Sequence, residues 1–223
     1  MKRKKVLVVA TSSKTRGGIT SVIKAHQKTS LWKEWNCEWI ETHIDSSFFL
    51  KIIYVISAFI KFMLNIFSAN IVHIHLSAPL STKRKQIFIY FTKLFNKSLI
   101  VHFHAFSSEA NIDFKYKSLY LKTFNAADKI IVLSNSWKNG LINDLGIAKE
   151  KIEVLYNPCP IVKMDDSIKK ENIILYAGTL NERKNYKTLI KSFAIIAKEF
   201  PSWKIVFAGN GEVKQATHLA YSF

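Results

Sequence analysis

The chain has 223 residues, 48% hydrophobic and 13% aromatic, which excludes a disordered chain and allows one large domain or one and a half. Lys and Arg number 33 against 16 Asp and Glu, a formal net charge of +17; a solvated basic surface is the plain reading, and the partners that would explain it are an anionic membrane foremost, phosphorylated small molecules or nucleic acid. Two distant cysteines, Cys37 and Cys159, exclude a disulfide framework and fit a reducing compartment, and the apolar run after the basic MKRKK start is too short for a secretory leader.

In chain order, the first predicted strand is KVLVVA (5–10), and it runs into TSSKTRGGITSVI. Gly17 and Gly18 open a helix near 18–29. Glycines at that place let backbone N–H groups approach a phosphate or a sugar at a helix N-terminus. A plain tight turn is the competing reading. The pattern is not GxGxxG, and only Glu41, near the end of the second strand CEWIET (37–42), stands where a dinucleotide-binding acid would.

The stretch 48–67, FFLKIIYVISAFIKFMLNIF, is long enough to span a membrane. Lys51 and Lys61 interrupt it, and each would cost about 2.5–3.5 kcal/mol near a bilayer centre. Lying between two predicted strands, it is expected to be a sheet-covering core helix, with an interfacial helix as the second reading.

The next strands are NIVHIH (70–75) and SLIVHFH (98–104), separated by a helix near 81–95 that begins with the basic run Lys83-Arg84-Lys85. Helices near 115–126 and 135–145 flank KIIVLS (129–134), and KIEVLY (151–156) follows. Near-continuously apolar strands alternating with helices predict a parallel, doubly wound α/β sheet with its ligands at the carboxyl ends of the strands.

The two histidine pairs, His73/His75 and His102/His104, each have i, i+2 spacing. In a strand that puts both rings of a pair on one face. Three readings stand open: core histidines satisfied by backbone carbonyls, groups facing a substrate with His104 foremost, or metal ligands. No acidic or cysteine ligand accompanies either pair at useful spacing, so no metal is expected.

Asn157-Pro158 and Pro160 break the pattern, and 161–171 reads as a linker between a domain at 1–160 and a second at 172–223. The second opens as strand, loop, helix, strand, loop. GTLNERKNYKTLI puts Arg183 and Lys184 in the first loop beside a helix starting at Tyr186, with Asn185 as its expected N-cap. Two cations there suit a phosphate, or are simply solvated. FAGNGE (207–212) puts Gly209 and Gly211 in the second turn. A doubly wound domain needs roughly 100–150 residues, so the second domain is expected to be incomplete.

Taken together, the GG loop, the HIH and HFHAF strand ends, ADKIIVLS, VLYNP, AGTLNERKN and GNGE resemble, in order, the retaining glycosyltransferases of family 4, also called group 1. The resemblance covers 5–212 and implies two facing Rossmann-like domains (the GT-B fold), with the acceptor mainly on the first and the nucleotide-sugar donor on the second. It implies that His104 lies near the donor sugar as the catalytic-site histidine. It also implies that Gly17 and Gly18 approach the donor phosphates, that Lys184 contacts the pyrophosphate with Arg183 beside it, and that Gly209 and Gly211 flank the nucleotide. His75 and Asn157 are candidates on the acceptor side.

Thr179 stands where the family often has arginine, Asn157-Pro158 replaces the usual Asn-Gly, and the E-x7-E segment would lie beyond Phe223. The expected activity is transfer of a sugar, with retention and without a metal, to a glycan or lipid-linked acceptor in capsule or cell-surface polysaccharide synthesis. The expected place is the cytoplasm, peripheral at the inner membrane face. The alternatives are a non-catalytic acceptor-binding module and a half-enzyme needing a separate polypeptide. No helix-turn-helix, zinc or RNA-recognition pattern supports nucleic acid as a partner.

Overall fold

The computed structural model describes residues 4–105, 114–159, 167 and 169–223. Pro160, most of the expected linker at 161–171, and Phe106 of the HFHAF segment lie outside the described residues. The chain divides into two compact units, Met1–Ile161 and Val162–Phe223.

In the first unit β1 (Val6–Ala10) leads to α1 (Gly18–Gln27), α2 (Ser30–Glu34) and β2 (Cys37–Glu41). Then come α3 (Phe48–Ile66), β3 (Ile71–Leu76), α4 (Pro79–Leu94) and β4 (Ser98–Phe103). After α5 (Phe114–Ala126) the unit continues with β5 (Lys129–Val132), α6 (Asn135–Asn143) and β6 (Ile152–Val154). The six strands are all parallel, in the order β2-β1-β3-β4-β5-β6. The order reverses between β1 and β3, the switch point beside which such sheets bind ligands.

The helix ends follow from local chemistry. Ser47 caps α3 by accepting from the Leu50 N–H, and Ser134 caps α6 by accepting from Trp137. Pro79 occupies the first turn of α4, where its missing N–H costs nothing. Asn36 and Asn96 stop α2 and α4 in the left-handed conformation, φ 44° and 50°. α2 itself, one and a half turns long, was not foreseen in the sequence.

Strand periodicity sorts the core into two faces. Leu7, Val9, Ile40, Val72, Ile74, Leu76, Val101 and Phe103 face α3–α6 in one large cluster. Val6, Val8, Ala10 and Trp39 face the other way, against Ile23 of α1. His73 is in register with Val8, and His75 with His102, so the histidines fall on the α1 side.

α3 departs from the expected core helix. Only Ala58, Phe62 and Ile66 are buried. Phe62 meets Phe88 of α4 edge-on at 5.1 Å. Lys61 is tied to Glu38 and the Trp39 carbonyl, so it is anchored at the sheet edge. Phe49, Ile53, Ile56, Ile60, Leu64 and Phe67, spaced three or four apart, are exposed together on one face. By length and composition this helix is able to cross a membrane.

The second unit has β7 (Ile173–Ala177), a 3-10 turn at Glu182–Lys184, α7 (Tyr186–Ile196), β8 (Lys204–Ala208) and α8 (Val213–Ala220). β7 and β8 pair in parallel. Leu180, Tyr186, Ile190 and Ala216 form its core.

Candidate functional site

The site of the first unit is built at the carboxyl ends of β1, β3 and β4. The β1–α1 loop is held from below by the end of β2. Ser12 N donates to the His43 carbonyl at 2.7 Å and Thr42 N to that of Ala10 at 2.8 Å. The Glu41 carboxylate accepts from Ser12 Oγ at 2.8 Å and from Ser13 N at 3.0 Å. The residue that stood in the dinucleotide-acid position therefore braces the loop. Burial alone would raise the Glu41 carboxyl, but the hydrogen bonds from Ser13 and Ser12, with Lys14 nearby, outweigh it and hold it below its ordinary value.

Gly17 is the N-cap of α1 with an extended backbone, and Gly18 is the first helical residue. A Cβ added at either would meet nothing within 4 Å. The chain's own packing therefore does not call for glycine here; what the pair leaves is open space at a helix N-terminus.

The period of two and the β3–β4 register bring the four histidines into one stack. Ring centroids are 4.5 Å apart for His73–His75, 4.8 Å for His75–His102 and 4.1 Å for His102–His104. His75 Nδ1 and His104 Nε2 share a hydrogen bond of 2.9 Å, and His104 N donates to the Leu76 carbonyl. His75 is fully buried, so it stands behind His104 rather than at a surface an acceptor touches. His104, just past the strand end, is half-buried. Burial is the main cause that keeps these rings neutral: His73 is lowered to about 3 and His104 to about 4, and His75 and His102 are also lowered. The expected carbonyl partners are missing for several of them. His73 Nε2, His75 Nε2 and both ring nitrogens of His102 are buried without a hydrogen bond.

Lys85 was missed in the sequence, where it reads as part of a basic run. It is 2% exposed, and its Nζ donates to the His75 carbonyl at 2.6 Å and Ser81 Oγ at 3.0 Å. Burial, with Arg84 adding to it, lowers it to about 7. A signal was present: Lys85 precedes Phe88, Ile89 and Thr92 on the inward stripe of α4, at i+3, i+4 and i+7. Asn157 is exposed beyond β6.

In the second unit Arg183 and Lys184 are exposed in the 3-10 turn. Asn181 caps that turn, its Oδ1 accepting from Lys184 N at 3.0 Å. Asn185 does precede α7, but it sits in the left-handed region at φ 53° and makes no cap to the backbone. Its Oδ1 accepts from Thr188 Oγ1 instead. The following Tyr186 is buried and donates to Glu212 Oε2 at 2.8 Å, tying the helix start to the GNGE turn. Gly209 and Gly211 have an internal reason to be glycine. A Cβ would lie 1.8 Å from the Gly178 carbonyl oxygen at Gly209 and 2.3 Å from that of Leu180 at Gly211.

Comparison with known proteins bears on both units. The pattern of the family described as Glycosyltransferase Family 4 matches residues 24–161. That of Glycosyl transferases group 1 matches 162–222. An alpha-1,4-N-acetyl-D-galactosaminyltransferase of Campylobacter jejuni, named for a GalNAc-GalNAc-diNAcBac-PP-undecaprenol substrate, is 33% identical over 70 residues, 30% of this chain and 20% of the relative. The structure of Anabaena HepE in complex with UDP and glucose superposes with a TM-score of 0.62 at 14% identity, covering 98% of this chain and 66% of HepE. A glycosyltransferase from Rickettsia africae superposes at 0.50 with 16% identity, covering 99% of this chain and 72% of its own. The chain thus spans just under two thirds of HepE and a fifth of the curated relative. At these identities the structural likeness establishes the α/β GT-B fold.

Proposed function

The chain belongs to Glycosyltransferase Family 4, whose pattern covers more than half of it, and we propose that it moves a sugar from a nucleotide-diphosphate donor to a glycan or lipid-linked acceptor with retention of configuration. The observation that carries this reading is His104, half-buried at the carboxyl end of β4, its Nε2 joined to His75 and its ring aligned by the histidine stack. A neutral imidazole in that place has a free side with which to hydrogen-bond a sugar without placing a second cation beside it.

Charge gathers on the leaving pyrophosphate as the glycosidic bond breaks, and fixed cations and helix N-termini stabilise that transition state. The open N-terminus at Gly17 and Gly18 and the exposed Arg183 and Lys184 are the groups suited to it. The UDP and glucose bound in HepE and the diphosphate-linked substrate of the Campylobacter relative support the donor and acceptor classes. The exposed apolar face of α3, on a chain of charge +17, fits peripheral contact with an anionic bilayer, where a lipid-linked acceptor for surface polysaccharide would lie.

The test is to titrate UDP and UDP-sugars calorimetrically and to follow transfer to a synthetic diphosphate-lipid glycan by mass spectrometry. Donor binding weakened about tenfold or more in Lys184→Ala, and transfer abolished in His104→Ala with UDP binding retained, is the expected result. If His104→Ala transfers sugar like the unaltered protein, the role given to His104 is wrong. Acceptor binding without any transfer would instead favour the non-catalytic module.

A further inference from the structure

We propose that His73, His75 and His102 form a site for one divalent transition-metal ion, of which Zn2+ suits the all-imidazole donor set best. Among the described residues these three rings offer ligand nitrogens that all lie within 4.8 Å of one another. The backbone fixes that convergence. His73 and His75 share one face of β3 by the two-residue period, and His102 stands beside His75 in the parallel register.

The three rings also share an unmet need. Four of their nitrogens are buried without any hydrogen bond. A buried polar group left unpaired is destabilising, and each such group calls for a reason, an ion or ordered water among them.

Three protein nitrogens leave a fourth position open for water, the arrangement of open rather than closed zinc sites. Zn–N bonds of about 2.0–2.1 Å set ligand nitrogens roughly 3.4 Å apart. His73 and His102 lie in nearly parallel planes, 4° apart, with centroids separated by 5.5 Å. Binding would therefore require the rings to turn about their Cβ–Cγ bonds until nitrogens now within 4.8 Å close to that spacing.

The site has an outer contact as well. With His75 Nε2 on the metal, its Nδ1 must carry the proton and donate to His104 Nε2 across the 2.9 Å contact. The ion would thereby fix the tautomer of His104, holding the proton on its Nδ1. This last link rests on the reading of His104 given above; metal binding itself does not.

The experiment uses the full chain, stripped with a chelator and titrated with Co2+ as the spectroscopic probe, then with Zn2+ as competitor. The expected result is one equivalent of Co2+ per chain, with the intense visible absorption of a four-coordinate ion, displaced by Zn2+. Affinity should fall at least tenfold in His73→Gln and in His102→Gln, while His218→Gln, altered on the exposed α8, binds as before. Circular dichroism establishes that each variant is folded. His73→Gln, at a half-buried position, keeps the test valid if His102→Gln unfolds. No binding at one equivalent, a six-coordinate Co2+ spectrum, or equal affinity in a folded His73→Gln overturns the proposal. Because the readout is metal binding alone, its failure is distinct from a failure to transfer sugar.

Discussion

At the scale of single residues, glycines and a carboxylate separate support from function. Gly209 lies 1.8 Å, by an added Cβ, from the Gly178 carbonyl oxygen, so Gly209→Ala must move backbone. It is expected to destabilise the second unit by about 1–3 kcal/mol, read as an earlier urea midpoint. Gly17→Ala is the opposite case: nothing lies within 4 Å, and its extended φ suits any residue. Its cost should stay within about 1 kcal/mol, while UDP affinity falls if the donor phosphates approach there. Unchanged UDP affinity would return Gly17 to the status of a plain turn. Glu41 gives a pH prediction. The unfolded carboxyl protonates near 4.5 and the native one lower, so its stabilisation is complete above 4.5 and is lost as pH falls through the native value. Glu41→Gln should therefore flatten the acid limb of a stability profile between about 4.5 and the native value. It should also cost about 1.5–3 kcal/mol at neutral pH, where two hydrogen bonds to the carboxylate are weakened.

At the scale of elements, α3 has two faces with separate consequences. Its inner stripe rests on Phe62, fully buried against Phe88, and Phe62→Ala should cost about 3–5 kcal/mol in chemical unfolding. Its outer stripe is exposed, with Phe67 at its end against the ring of Phe95. The paired change Ile56→Glu and Ile60→Glu, at positions 55% and 54% exposed, should leave the unfolding midpoint nearly unmoved and reduce sedimentation with anionic vesicles several-fold. Equal sedimentation of the variant would assign vesicle binding to another surface. The sequence showed this helix and its ends, yet its apolar residues are too many and too evenly placed to say which stripe a sheet would take. Its place between two predicted strands favoured a core helix. The choice was made by Ala58, Phe62 and Ile66, which fit the space above β1 and β2, and by Lys61, which reaches Glu38.

At the scale of the whole molecule, the charge of +17 adds a long-range attraction to anionic surfaces. Vesicle binding should weaken markedly between about 0.01 M and 0.1 M salt, as the screening length falls from about 30 Å to about 10 Å. The part that survives high salt measures the apolar face of α3. Binding indifferent to salt would deny the charge any role. Several features were fixed by the sequence alone. Alternation of apolar strands with helices specified a parallel α/β sheet, because a parallel strand needs a covering crossover and both its faces must be apolar. The i, i+2 spacing put each histidine pair on one strand face, because side chains alternate in a strand. The order of the strands was not legible, nor was the register that sets His75 beside His102, because pairing depends on which distant backbone edges meet. Burial of Lys85 and the lack of partners for the histidine nitrogens were decided there too. A residue's letter states what it is able to bond, and only the packed neighbours decide whether a partner, water or an ion is left to bond it.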